Sequence, residues 1–301
     1  MNRKELYEQL QMTYDELQLY LIHKYGPAVC DYFATSECRS KSKKISRSGE
    51  GLYCHHMDED KGGNLGNPTQ ARMQPFEWQK KERLVYCNII EHLILHMKIA
   101  VLRQKGILRE PYDVHGFFST GGIFMLCAEI NDMFINAGTG TVWKRRCFEE
   151  IRENYNDYIV LVRSLLTYID DNYYGTKNET RFLVPGSVVH FSDCKCEILK
   201  VSKKKDAILL KLPTGQEKIF SLSVAVNQLK YMDWVDIVTL KMASGFDRFY
   251  ESIYNDIMHC REDTKIANCV RALKVDYMEK SERVKVGNDL KTVGKCDIIK
   301  H

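Results

Sequence analysis

Apolar positions recur at helical spacing from the start of the chain. Leu17, Leu21 and Tyr25 share one face, Thr13 with Asp15 and Glu16 after it has the form of a helix start, and Gly26-Pro27 breaks the pattern, so residues 1 to 35 read as helix up to that break. From Ser36 to Glu50 the composition shifts to Ser, Lys and Arg. Segments 43–47 and 52–56 read as short and extended, joined by a turn at Ser48-Gly49. Residues 60–76 are punctuated by Gly62, Gly63, Gly66, Pro68 and Pro75 and read as loop. From Glu77 to about Leu102, the stripe Leu84, Cys87, Ile90, Ile94 and Met97 predicts a long helix that ends at Gly106. A further helical region runs from about Gly122 to Asp171, interrupted at Asn136 to Thr141.

The period then changes. After a polar, turn-rich stretch at 174–182, the segments Val188–Phe191, Cys196–Val201, Ala207–Leu212 and Glu217–Leu222 suit strands, with a Pro-Thr-Gly turn at 213–215. A helical segment, FDRFYESIYNDIMH, follows from about Phe246, and a charged tail from Glu279. The expected class is α+β. A mostly helical region over 1–175 precedes a small antiparallel sheet or barrel over 182–232, and a helical segment with the tail fills 233–301.

Composition narrows the setting. Of 301 residues, 44% are hydrophobic and 28% charged, as in an ordinary globular protein. No apolar run reaches the roughly 18 residues of a membrane span, and MNRKELYEQLQ lacks the apolar stretch of a secretory signal, so a cytoplasmic, membrane-free protein is expected. Eleven cysteines are present, but none forms C-x-x-C. They read as reduced thiols rather than a zinc knuckle, with only Cys194 and Cys196 close together. Net charge is only +4, yet Arg39, Lys41, Lys43, Lys44 and Arg47 lie between Cys38 and Glu50 with no acid among them. Such a block can hold a polyanion backbone or simply be a solvated loop.

Of nine histidines, four are paired. His92 and His96, four apart, lie on one helix face and could offer two nitrogens to one ion. His55 and His56, adjacent on an extended segment, point to opposite faces, so they divide two roles. A metal-assisted phosphodiesterase needs that division: a ligand for the ion and a neutral imidazole to take a proton from water.

The pattern HH-M-D-E, a Gly/Asn-rich loop, then R-L-V-Y-C-N-I-I-E-H-L-I-L-H resembles the HNH nucleases, also called ββα-metal or His-Me finger nucleases. The four histidines in the form H-H … H-x-x-x-H are also similar to those of the colicin DNase domains. The resemblance covers about residues 40 to 100. It implies a hairpin running into a helix, with His55, His92 and His96 as metal ligands and His56 as general base. The family's asparagine before Leu-Val is Arg83 here, so an orienting amide would come from Asn64, Asn67 or Asn88, with Asn88 counted in the catalytic set. The loop between the histidine pair and the helix is longer than in compact members.

The activity implied is one-metal hydrolysis of DNA, most simply double-stranded, leaving a 5′ phosphate and a 3′ hydroxyl. Three imidazoles favour binding of zinc, nickel or cobalt, while magnesium or manganese would also serve turnover. Arg47 is the first candidate for gripping the scissile phosphate and Lys44 the second, with Arg39, Lys41, Lys43 and Lys44 as the nucleic-acid-binding block. Asp58 and Glu59 would orient a ligand histidine or begin a solvated loop; Glu91 would face solvent; Trp78 would open the helix and pack on the core or stack on a base. His23, His115, His190 and His259 have no sequence partners. Lys200, Lys203, Lys204, Lys205 and Lys211 make the sheet a DNA-tracking module or a stability or dimer domain. The alternatives are a non-catalytic nucleic-acid-binding protein with a structural metal, and an interaction factor reusing the fold. A homodimer is compatible with either.

Overall fold

The computed structural model describes residues 1–104, 121–173, 185–186, 188–191, 194–202, 207–221, 242–245 and 248–273. Helices and antiparallel strands combine, so the class is α+β. The described residues divide into two interleaved units, one holding Met1–Ile123 and Asn136–Asn154, the other Phe124–Ile135 and Tyr155–Arg271. The boundaries expected near 175, 182 and 232, the stop at Gly106, His115, Lys203 to Lys205 and the tail from Glu279 lie outside the described residues.

In the first unit the expected single helix over 1–35 is two. Helix α1 (Arg3–Gln11) is capped by Asn2, whose side chain accepts from the Glu5 amide. Helix α2 (Tyr14–Tyr25) opens on a reciprocal box in which Thr13 Oγ1 and the Glu16 carboxylate each accept from the other's backbone N–H. Gly26, at φ +80°, ends it. Lys98, fully buried, donates Nζ to the carbonyls of Leu10 (3.1 Å) and Met12 (2.5 Å), satisfying the end of α1.

Strands β1 (Tyr53–His56) and β2 (Leu84–Cys87) pair antiparallel, with Tyr53 opposite Cys87, Cys54 opposite Tyr86, His55 opposite Val85 and His56 opposite Leu84. Facing residues share a side of the ribbon. Cys54, Leu84 and Tyr86 therefore pack into a cluster with Tyr32, Phe33, Ile45 and Leu52, and His56 points to that side. His55 points to the other. Residues 43–47, expected to be extended, instead form 3₁₀ turns at Lys43–Ile45 and Ser48–Glu50, with Arg47 between them. The loop after β1 contains one short helix, α3 (Pro68–Ala71), started by Asn67 and Pro68.

The predicted helix from Glu77 is corrected. Residues 76–83 form tight turns, 84–87 are strand, and helix α4 (Ile89–Gln104) begins only after Asn88. The apolar stripe that spans both elements is continuous because both are buried. Asn88 sets the start: its Oδ1 accepts from the amides of Ile90 (3.0 Å) and Glu91 (2.9 Å), while Glu91 Oε2 accepts from the Asn88 amide (2.9 Å). Glu91, expected in solvent, is fully buried. It also accepts from Lys24 Nζ (2.8 Å) and Gln9 Nε2 (3.1 Å), fixing the start of α4 against α1 and α2. Helix α5 (Gly121–Ile135) crosses from one unit to the other in sequence, and α6 (Val142–Ile151) returns to the first.

In the second unit α7 (Tyr155–Tyr173) packs with α8 (Glu251–His259) and α9 (Thr264–Arg271) through Leu161, Leu165, Ile253, Ile257, Ile266 and Val270. The helix expected from Phe246 starts at Glu251, because 244–245 and 248–249 pair as a two-stranded ribbon, β7 with β8. Strands β3 (Val188–Phe191), β4 (Cys194–Val201), β5 (Ala207–Lys211) and β6 (Glu217–Ser221) form an antiparallel sheet in sequence order. Among the described residues this sheet does not close into a barrel: β3 and β6 are its edges.

Asn88→Ala should remove about 1 kcal/mol of stability, read as a lower chemical-denaturation midpoint with unchanged slope, and should leave metal stoichiometry unaltered.

Candidate metal centre

The hairpin and α4 bring His55, Glu59, His92 and His96 together, with one donor atom from each lying within 4.8 Å of all the others. The route is local for each. His55 leaves β1 on the α4 side. The chain then turns tightly, with the Glu59 amide bonded to the His56 carbonyl (3.1 Å) and the Lys61 amide to the Asp58 carbonyl (2.9 Å), which returns Glu59 beneath His55. His92 and His96 rise one turn apart from α4.

Distances identify the donors. Glu59 Oε2 lies 3.0 Å from His55 Nδ1 and 3.4 Å from His96 Nε2, and His92 Nε2 lies 3.1 Å from His55 Nδ1. Tetrahedral zinc, with bonds of about 2.0–2.2 Å, places its ligand atoms about 3.3–3.6 Å apart. The four groups therefore could hold a metal ion without moving far. His92 Nδ1 is buried without a hydrogen-bond partner. An unbonded buried nitrogen is costly, but it is Nε2, not Nδ1, that faces His55 in the cluster.

Electrostatics point the same way. Burial alone would raise the Glu59 carboxyl, but hydrogen bonds and charge from His55 and His96 outweigh it and hold Glu59 well below the usual carboxylate range. Burial pulls His55 down, with Glu59 opposing in part. Burial, then the neighbouring His96 and His55, push His92 far below an ordinary histidine. The folded site thus favours unprotonated His55 and His92 beside an ionised Glu59, the state in which these three bind a cation. Around them, Tyr14 Oη bonds His55 Nε2 (2.9 Å), leaving Nδ1 to the cluster. Gly122 meets the other edge. A Cβ there would stand 2.3 Å from His96 Nδ1, so a side chain at this position displaces the ring.

His56, on the opposite ribbon face, is only 2% exposed. Its ring lies 4.4 Å from Tyr32, which Lys41 also approaches, with Nζ 4.6 Å from the Tyr32 ring. Gln79, fully buried, donates Nε2 to the Leu65 carbonyl (3.3 Å), which turns Oε1 to His56 Nε2 (2.9 Å). An oxygen there accepts, so the neutral imidazole carries its proton on Nε2 and its lone pair on Nδ1. Burial lowers His56 to about 4, against the opposing pull of Glu59 and Gln79, and keeps it neutral at pH 7.

Other expected residues fall elsewhere. Arg47 is engaged by Glu50, by the Tyr25 carbonyl and by the Tyr86 ring, 4.7 Å away, so a phosphate there would compete with Glu50. Asn88 Oδ1 is held in the helix cap described above. Arg39, Lys41, Lys43 and Lys44 are exposed. Asp58 lies in the turn after β1 but is buried rather than solvated: it forms a bidentate pair with Arg83 (2.7 and 2.6 Å) and a further pair with Lys61. Burial would raise Asp58, and these cations hold it lower. Arg83, standing where the resembled family has asparagine, thus pins the hairpin base, and its carbonyl accepts from the Met57 amide (2.9 Å). Trp78 sits in a 3₁₀ turn against Gly62, where a Cβ would meet its ring at 2.8 Å. His259 bonds the Asn255 carbonyl within α8. Comparison with protein-family models, curated proteins and solved structures found no match to this chain.

Calorimetric titration with zinc should give one ion per chain. Tyr14→Phe should weaken it by about 10–100-fold, Glu59→Gln by more, and Gly122→Ala measurably through the displaced His96. Asp58→Asn should lower thermal stability while leaving zinc affinity within the error of the titration.

Proposed function

We propose that the chain is a metal-dependent endonuclease that hydrolyses DNA phosphodiester bonds, with β1, β2 and α4 acting as a ββα-metal unit. The observation that carries this reading is the convergence of His55, Glu59, His92 and His96 between a two-stranded hairpin and the helix that follows it. The sequence resemblance at residues 40–100 supports it, with one addition: Glu59 joins the three histidines. A site of three imidazoles and one carboxylate suits zinc, nickel, cobalt or manganese better than magnesium. When bound, the ion supplies charge to a phosphate oxygen and to the oxygen that leaves.

The chain's own residues supply the rest. His56, kept neutral, takes the proton from the attacking water through Nδ1, and Gln79 holds the tautomer that leaves this nitrogen free to accept. The exposed lysines and arginine of 39–44 hold the backbone of the DNA. Lys41 and Tyr32 form the link between that block and His56.

A second reading has its own observation. His56 is almost wholly buried and bonded to Gln79, as a structural histidine would be. A nucleic-acid-binding protein with a structural metal would look the same at this position.

Supercoiled plasmid incubated with the protein and manganese, magnesium or nickel separates the two. Endonuclease activity predicts nicking in at least one metal, its loss with EDTA, and a fall of at least a hundredfold in His56→Ala, with zinc affinity retained. Tight zinc binding with no nicking under any of the ions would establish the structural reading instead.

A further inference from the structure

Helix α6, VWKRRCFEEI, carries its charges against its own dipole. Lys144, Arg145 and Arg146 follow directly on its first residues, and Glu149 and Glu150 close it. A helix dipole favours acids at the start and bases at the end. Thr141, at the cap position, makes no side-chain cap bond, and no acid lies in the first turn. Arg145 and Arg146 are exposed and form no ion pair among the described residues, whereas Glu149 at the far end is paired with Arg152 (3.1 Å). Arg145 and Arg146 therefore oppose the dipole of the helix that bears them. A local rule broken without internal compensation is the mark of a surface kept for something else.

Its position says what. The backbone of α6 lies directly on the turn that feeds β1: a Cβ on Gly51 would stand 2.5 Å from the Arg146 carbonyl oxygen, and Gly51 itself holds φ +75°. Trp143 packs edge-on to Tyr53 (6.1 Å), and Tyr53 packs on the ligand His92 (5.8 Å). Two aromatic side chains, Trp143 and Tyr53, thus link the helix that bears the basic turn to the candidate metal centre. The same turn, Ser48–Glu50, receives the exposed run Arg39 to Lys44 from the other direction. Val142, 64% exposed, leads the turn.

We infer that Arg145 and Arg146, with Lys144 beside them, are phosphate-backbone contacts for the DNA strand that reaches the metal centre. The inference rests on the endonuclease reading. Its partner chemistry is a polyanion of regularly spaced phosphates; Arg145 and Arg146 are adjacent, form no ion pair among the described residues, and sit on a helix whose backbone meets the turn that feeds β1.

Binding of the full chain to a short fluorescent DNA duplex, in EDTA so that no strand is cut, tests this across a salt series. Arg145→Ala/Arg146→Ala should weaken binding by roughly tenfold per lost contact near 0.1 M salt and make the log–log salt slope shallower by about two. Its melting temperature should hold or rise, since charges opposing the dipole are gone, and its zinc affinity should not change. A structural role would instead lower the melting temperature. Lys200→Ala/Lys218→Ala, on the sheet of the second unit, should change the slope less. An unchanged slope in the α6 variant, or an equal change in the sheet variant, overturns the inference while leaving the nuclease reading standing. Failure of the unaltered chain to bind duplex at all overturns both.

Discussion

A carboxylate gathered with three imidazoles in a largely closed pocket is the constraint on which the rest depends. Glu59 must stay ionised there, and burial keeps His55 and His92 from carrying the balancing charge with ease. Such a group is stable only if a cation completes it or if its members share protons at a cost. The surroundings are compatible with the first. Tyr14 takes the outer nitrogen of His55, and Gly122 makes room for His96.

Register decides whether this pocket exists. A slip of one residue in β1 would send His55 into the apolar cluster and His56 to α4. Two devices prevent it. Arg83 clamps Asp58 at the end of the hairpin where the long loop joins the strands, and the Asn88–Glu91 cap fixes where β2 stops and α4 begins. Glu91 then ties that point to Lys24 and Gln9, so α1 and α2 act as the footing of the helix that carries His92 and His96. The buried carboxylate of Glu91 thus lies where strand becomes helix, which is where an error of one residue would rotate both His92 and His96 away.

Much of this was legible in the sequence, and the losses have physical causes. The four-residue helical spacing pairs His92 with His96 and strand alternation sends His55 and His56 to opposite faces, both local rules; the choice of His55 as the one that joins the helical pair came from the family resemblance. The four strands of the second unit were found by local rules too, nearly to the residue. The start of α4 was misread because a buried strand and a buried helix face are equally apolar, although Asn88-Ile89-Ile90-Glu91 is a capping signature that could have placed it. Glu59 was left as an outer residue because it reaches the cluster through a turn, and turns have no fixed spacing. Gln79, Tyr14 and Gly122 act across long stretches of chain and had no sequence signal. Arg47 and Asn88 were credited with chemistry when the fold uses their hydrogen-bonding groups internally.

The central claim is the donor set, and X-ray absorption on zinc-loaded protein tests it most directly. The account predicts a first shell of nitrogen and oxygen at about 2.0–2.2 Å, with the outer-shell scattering of several imidazoles and no sulfur near 2.3 Å. Glu59→Gln should change that shell, and Cys54→Ser should not. A sulfur shell, or a shell of water alone without imidazole scattering, would contradict it.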